Sequence, residues 1–256
     1  MEKIWLKSYP PGVPAEIDYS RYRSIGALFD ESCRKFAARP AYHNLGRDLT
    51  FGELDRMSAA FGAWLQSRGL AKGARVAIMM PNCLQYPVAL FGTLRAGCTV
   101  VNVNPLYTAR ELEHQLKDSG AEVIVILENF AHVLQEVIGR TQVKHVVVAA
   151  MGDLAGLLKG ALVNFILRKV RKLVPAWNLP GALRFNAVLA AGAQRPLAPV
   201  DVGQEDVAFL QYTGGTTGIS KGATLLHRNV LANLEQSNAW IASTPTESEL
   251  NVILTA

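Results

Sequence analysis

Four aliphatic hydroxyls, several glycines and one lysine crowd into the run Tyr212-Thr213-Gly214-Gly215-Thr216-Thr217-Gly218-Ile219-Ser220-Lys221-Gly222-Ala223. A polyphosphate needs that mixture. Glycines reach backbone angles closed to other residues and let main-chain N–H groups converge on an anion. Thr213, Thr216, Thr217 and Ser220 add short donors for phosphate oxygens, and Lys221 adds a compact positive charge for the outer phosphates. The preceding residues, Val207-Ala208-Phe209-Leu210-Gln211-Tyr212, form a short apolar run that reads as a buried strand. The loop is therefore expected at the carboxyl end of a strand, where α/β proteins bind ligands.

Two better-known signatures fail on this stretch. The Walker pattern requires Lys followed by Ser or Thr, but Lys221 is followed by Gly222. Gly218-Ile219-Ser220-Lys221-Gly222 does satisfy Gly-x-Ser-x-Gly, the nucleophile elbow of hydrolases. An elbow places its serine straight off a strand, with an acid and then a histidine later in the chain. Here five residues separate Tyr212 from Gly218, and His227 is the only histidine downstream. A glycine-rich turn without a ligand is the plain alternative.

The string resembles the phosphate-binding signature of the adenylate-forming superfamily, an aromatic-Thr-Ser/Gly-Gly-Ser/Thr-Thr-Gly-x-x-Lys-Gly loop. The likeness extends through Leu49-Thr50-Phe51-Gly52-Glu53-Leu54, Val76-Ala77-Ile78-Met79-Met80-Pro81-Asn82, Gly97-Cys98-Thr99-Val100-Val101-Asn102-Val103-Asn104-Pro105 and Leu226-His227-Arg228-Asn229. These segments look like landmarks of bacterial long-chain fatty-acid–CoA ligases and cover most of residues 20–256. Gly214 and Ser220, where many superfamily members carry serine and proline, favour the fatty-acyl branch.

The resemblance implies ATP and Mg²⁺, with coenzyme A as co-substrate and a long-chain fatty acid activated first to the acyl-adenylate and then to the thioester. It assigns Lys221, Thr213 and Thr216 to catalysis and all of Tyr212 to Ala223 to nucleotide binding, with no metal ligand assigned. It also implies a homodimer. Superfamily members are longer, so residues 1–256 are expected to be part of a large amino-terminal AMP-binding domain, with the small carboxyl-terminal lid outside the chain. The apolar ending Leu250-Asn251-Val252-Ile253-Leu254-Thr255-Ala256, which stops without turn or polar tail, agrees with that expectation. The alternatives are a nucleotide-binding or membrane-associated module without turnover, and another acyl or aryl adenylate-forming ligase.

Elements that position the loop can be read from periodicity. Thr50-Phe51-Gly52-Glu53 is a capping box that opens a helix through Ser67, and Thr108-Ala109-Arg110-Glu111 opens another ending near Ser119-Gly120. Arg75 to Met80, Glu122 to Leu127, Lys144 to Ala149 and Val207 to Tyr212 read as buried strands. Their alternation with helices predicts a doubly wound α/β fold with a mostly parallel sheet. Pro175, Pro180, Pro196 and Pro199 predict an irregular connection over 175–205.

Hydrophobic residues make up 50% of the 256 and charged residues 18%, enough to bury a sizeable core. Cys33, Cys83 and Cys98 lack paired spacing and read as reduced, packed thiols. His43, His114, His132, His145 and His227 show no metal-ligand spacing; His227 is expected near the start of a helix running through Glu235, helping to cap it. The amino terminus lacks a signal-peptide layout, so the reading is cytoplasmic. A net charge of +5 is spread along the chain with no base-stacking module, which argues against nucleic acid.

One segment breaks the even spread. Residues 154–174 run apolar first and then basic at Arg168, Lys169, Arg171 and Lys172, with the polarity segregated along the segment. A helix packed in the protein with a solvated basic end is expected, and peripheral contact with the inner face of a membrane is the alternative.

Overall fold

A computed structural model describes residues 3–213, 220–242 and 253. After a 3-10 helix at Ile4–Ser8 the chain forms α1 (Ile25–Lys35), the hairpin β1 (Pro40–Asn44) and β2 (Arg47–Thr50), and α2 (Phe51–Ser67). Then β3 (Arg75–Met79), α3 (Gln85–Arg95), β4 (Thr99–Asn102), α4 (Ala109–Ser119), β5 (Val123–Leu127), α5 (Ala131–Val137) and β6 (His145–Ala149) alternate. Next come α6 (Leu157–Phe165), which runs into a π-helical turn at Ile166–Val170, then β7 (Leu183–Arg184) and α7 (Phe185–Gly192). The described elements end with β8 (Val207–Thr213), β9 (Lys221–Leu226) and α8 (His227–Ala242).

Both capping boxes form. Thr50 accepts from Glu53 N while the Glu53 carboxylate accepts from Thr50 N, and Thr108 and Glu111 repeat the exchange at α4. Each satisfies two of the N–H groups that a helix start leaves without partners.

Seven described strands form one sheet in the order β7-β6-β5-β3-β4-β8-β9, parallel except for the antiparallel β8–β9 pair. Strands β3, β5 and β6 are apolar throughout their buried positions, as expected when helices cover both faces. Val76, Ile78, Val100, Val123, Val125 and Val147 face a cluster with Phe29, Phe61, Trp64, Val88 and Phe185, drawn from α1, α2, α3 and α7. Ala77, Met79, Val101, Ile124 and Val148 face the opposite cluster with Leu112 and Leu116 of α4 and Leu134 of α5. Each fully buried aliphatic or aromatic side chain contributes about 1.5–3 kcal/mol relative to exposure. The doubly wound α/β expectation is met.

Two expectations are corrected. Residues 175–205 are not irregular throughout: β7 and α7 lie inside them, and Phe185 and Val188 are core residues. The prolines flank these elements without interrupting them, so their density misled. The second correction concerns 154–174. The helix forms, but Leu157, Leu158, Leu162 and Phe165 are exposed, so its apolar side is not packed in the protein.

Candidate nucleotide-binding site

Strand β8 sits beside β4 with Val100, Val101 and Asn102 level with Phe209, Leu210 and Gln211. It ends at Thr213, so the loop does leave the carboxyl end of a strand. The strand is half-buried, with only Ala208 and Tyr212 fully enclosed, because it lies one place from the sheet's edge. Beyond the loop the chain turns back as β9, an element that sequence periodicity did not indicate. Thr213 then lies opposite Lys221, and Tyr212 opposite Gly222. The expected site residues Gly214, Gly215, Thr216, Thr217, Gly218 and Ile219 lie outside the described residues.

Helix α4 holds both ends of this hairpin. The Tyr212 hydroxyl donates to Asp118 Oδ2 at 2.6 Å, and His114 Nε2 lies 3.1 Å from the carbonyl oxygen of Ser220. Residues 114 and 118 are one turn apart on α4, so one helix face fixes the strand entering the loop and the strand leaving it. Burial, reinforced by the Asp118 carboxylate, pushes the Tyr212 phenol well above its ordinary range, so it stays a donor at neutral pH.

Gly222 is set by the same contact. A Cβ there would lie 3.0 Å from the Tyr212 ring atoms Cε2 and Cζ, so a side chain would require the ring to give by a few tenths of an ångström. Neither His114 nor Asp118 was singled out in the sequence for this role, since nothing in their spacing points to the loop.

Thr213 and Lys221 are exposed at the mouth of the hairpin. Lys221 makes no ion pair with a described residue, which leaves its charge available for an anion. Beneath them, Tyr86 donates to Asn102 Oδ1 at 2.9 Å and Asn102 Nδ2 donates to Gln211 Oε1 at 2.9 Å, tying α3, β4 and β8 together below the loop. A separate cleft of about 640 Å³ is lined by Lys72, Arg75, Thr99, Asp118, Asp206 and His227, and several of these stand at the amino ends of the strands. Its cations are engaged internally, Lys72 with Asp206 and Arg75 with the Ser119 carbonyl. It offers an anion less than Lys221 does.

His227 begins α8 and is buried, yet it caps a different helix from the one expected: its Nδ1 accepts from Ile25 N at the start of α1, 3.1 Å away. The start of α8 is served by Asn229, whose Oδ1 accepts from Leu226 N. Among the described residues no group of three His, Cys, Asp or Glu side chains could hold a metal ion, and no helix is long and apolar enough to cross a membrane.

Comparison with known proteins bears on the family and the fold. The chain is 56% identical over 243 residues to a long-chain-fatty-acid–CoA ligase of Yersinia pestis, covering 94% of this chain and 43% of that one. It is 53% identical over 243 residues to the same-named protein of Haemophilus influenzae, with the same shares covered. The chain thus spans under half the length of the relatives it matches. Among solved structures, a long-chain-fatty-acid–CoA ligase from Archaeoglobus fulgidus superposes with a TM-score of 0.64 at 26% identity, covering 88% of this chain and 40% of that one. An anthranilate CoA ligase with anthranoyl-AMP shares the fold at a TM-score of 0.67 and 20% identity, covering 83% of this chain and 37% of its own. The AMP-binding enzyme family matches residues 29–255, nearly the whole chain, and the chain belongs to that family.

Proposed function

We propose that this chain is the ATP-binding part of a long-chain fatty-acid–CoA ligase. The observation that carries the reading is the hairpin, with Thr213 and Lys221 facing each other at its open end and the hydroxyl- and glycine-rich run between them. The fatty carboxylate attacks the α-phosphorus of ATP, the α–β anhydride bond breaks, and pyrophosphate leaves. The thiol sulfur of coenzyme A then attacks the acyl carbon, releasing AMP and forming the thioester as the thiol proton is lost.

Carboxylates are weak nucleophiles and the triphosphate is anionic, so this chain's task is to neutralise charge that builds on the leaving group. Lys221 and the loop's N–H groups hold the pyrophosphate, and Thr213, Thr216 and Thr217 orient it. Tyr212, held by Asp118, and Ser220, whose carbonyl His114 meets, keep the two ends of the loop in place.

Hydroxyls with no metal-binding cluster of acidic, His or Cys side chains among the described residues fit Mg²⁺ carried in on the phosphates better than a metal caged by protein. Bound there, the ion would neutralise phosphate charge, with one of the threonines beside it. The reading includes adenine and ribose contacts and a second acidic magnesium ligand from outside residues 1–256, and a small lid domain that supplies a lysine. It also includes a homodimer and peripheral contact with a membrane through residues 154–174.

The test is fatty-acid-dependent pyrophosphate release from ATP by the protein expressed from its own gene, across carboxylates from acetate to oleate. Release strongest with long chains, and falling at least ~100-fold in Lys221→Ala with the melting temperature unchanged, is the expected result for loss of a transition-state charge contact. Unaltered release by Lys221→Ala overturns the assignment.

A further inference from the structure

Helix α6 is amphipathic with its faces reversed. Gly160, Asn164 and Arg168, four residues apart, face the protein. Gly160 packs backbone to backbone on Gly152, where a Cβ on either would lie within 2.3 Å of the other's carbonyl oxygen. Asn164 Oδ1 accepts from Gly152 N at 2.8 Å, and Arg168 makes a two-pronged ion pair with buried Glu128 at 2.8 Å. On the other side Leu158, Leu162 and Phe165 are 89%, 58% and 58% exposed.

A helix resting on a water-soluble protein normally turns its apolar stripe inward. Here the small and polar residues face the protein and the large apolar ones face away, an arrangement that suits an apolar medium outside. The π-helical turn follows at Ile166–Val170, and Lys172 in the left-handed conformation (φ 51°) closes the segment, with Leu173 N donating to Leu167 O. Lys169, Arg171 and Lys172 are exposed there, with no ion pair to a described residue. Arg168 is spent on Glu128, which anchors the basic end without using the other cations.

We propose that α6 and its π-helical turn form a docking surface for an anionic lipid bilayer. Leu158, Leu162 and Phe165 enter the acyl boundary, and Lys169, Arg171 and Lys172 meet lipid phosphates. The charge decides between occupants: a second copy of this surface would bring Lys169, Arg171 and Lys172 up against the same three cations, whereas an anionic membrane complements them. The inference deepens the membrane-contact part of the reading above, and its test is independent of ligation.

The experiment is sedimentation of the protein, as expressed from its own gene, with vesicles of phosphatidylcholine alone or mixed equally with phosphatidylglycerol. Binding to the mixed vesicles is expected to be tighter by on the order of ten-fold or more and to weaken as salt rises. Leu158→Gln with Phe165→Gln should lose at least about ten-fold on both vesicle types. Lys169→Glu with Lys172→Glu should lose only the preference for anionic lipid. All variants should melt as the parent does, since the substituted side chains are exposed.

The proposal is overturned if the parent ignores vesicles, if the glutamine pair binds unchanged, or if that pair instead converts a dimer to a monomer. It is also overturned if Leu162→Cys resists maleimide in vesicle-free folded protein, which would mean that other protein covers the face. Octanoate ligation without vesicles separates the two readings. A protein that ligates but ignores vesicles removes this surface, and one that binds vesicles as described but ligates nothing removes only the ligase reading.

Discussion

Lys221 and Tyr212 illustrate two kinds of legibility at the level of single residues. The role proposed for Lys221 rests on its neighbours in the sequence, because a lone cation among glycines and hydroxyls suits phosphate. The hold of Asp118 on Tyr212 could not be read that way, since the two are 94 positions apart and meet only through the packing of α4 on the sheet. His227 is similar: its capping of α1 spans 202 positions. Burial is the main cause that holds its imidazole below the ordinary 6.5, with Lys72 adding to the effect and Asp206 opposing it. The folded state therefore keeps His227 neutral, with Nδ1 free to accept, while the unfolded chain takes up a proton below about 6.5. Stability from this residue is complete above that pH and is lost as the pH falls toward the folded value. His145, also depressed by burial first and by Arg68 and Lys144, adds to the same loss. His227→Asn, which keeps an acceptor near the Nδ1 position but cannot titrate, should flatten the decline in melting temperature between pH 7 and pH 5. An unchanged slope would show that His227 is not the group responsible.

Two helix starts were legible among the elements because a reciprocal cap writes them into the sequence, as Thr50 with Glu53 and Thr108 with Glu111 do, while the single cap of Ser24 on α1 went unread. Short strands and helices without such marks were not: β4, β9 and α7 follow from what they pack against. The β1–β2 hairpin is a further case. Asn44 pairs with Arg47, leaving Leu45 and Gly46 as a two-residue turn with φ of 50° and 65°. A turn with both central residues left-handed favours Asn-Gly, and a leucine there is strained by about 1 kcal/mol. Leu45 is 43% exposed, so only part of its side chain's burial is at stake. Leu45→Asn should raise the melting temperature by roughly 2–4 °C in a domain of this size. A fall in thermal unfolding experiments would mean that the leucine makes contacts worth more than the strain.

At the scale of the whole molecule, helices cover both faces of the sheet's central strands, and the three cysteines report on that covering. Cys33, Cys83 and Cys98 are free and buried, and burial first of all pushes their thiols to about 11, about 11 and about 12. Both the scarcity of thiolate and the lack of access should make native labelling by a disulfide reagent at pH 8 on the order of a hundred-fold slower than in denaturant. Rapid native labelling of any one of them would show that its side of the sheet opens readily. By itself the sequence determined the alternation of strands and helices, the two capped helices and the loop composition suited to phosphate, because periodicity, caps and local chemistry are properties of neighbouring residues. Only the tertiary structure decided that β9 turns back to set Lys221 opposite Thr213, that α4 holds both strands of that hairpin, and that α6 shows its apolar side outward. Each of these depends on which distant surfaces meet, and spacing along the chain carries no record of that.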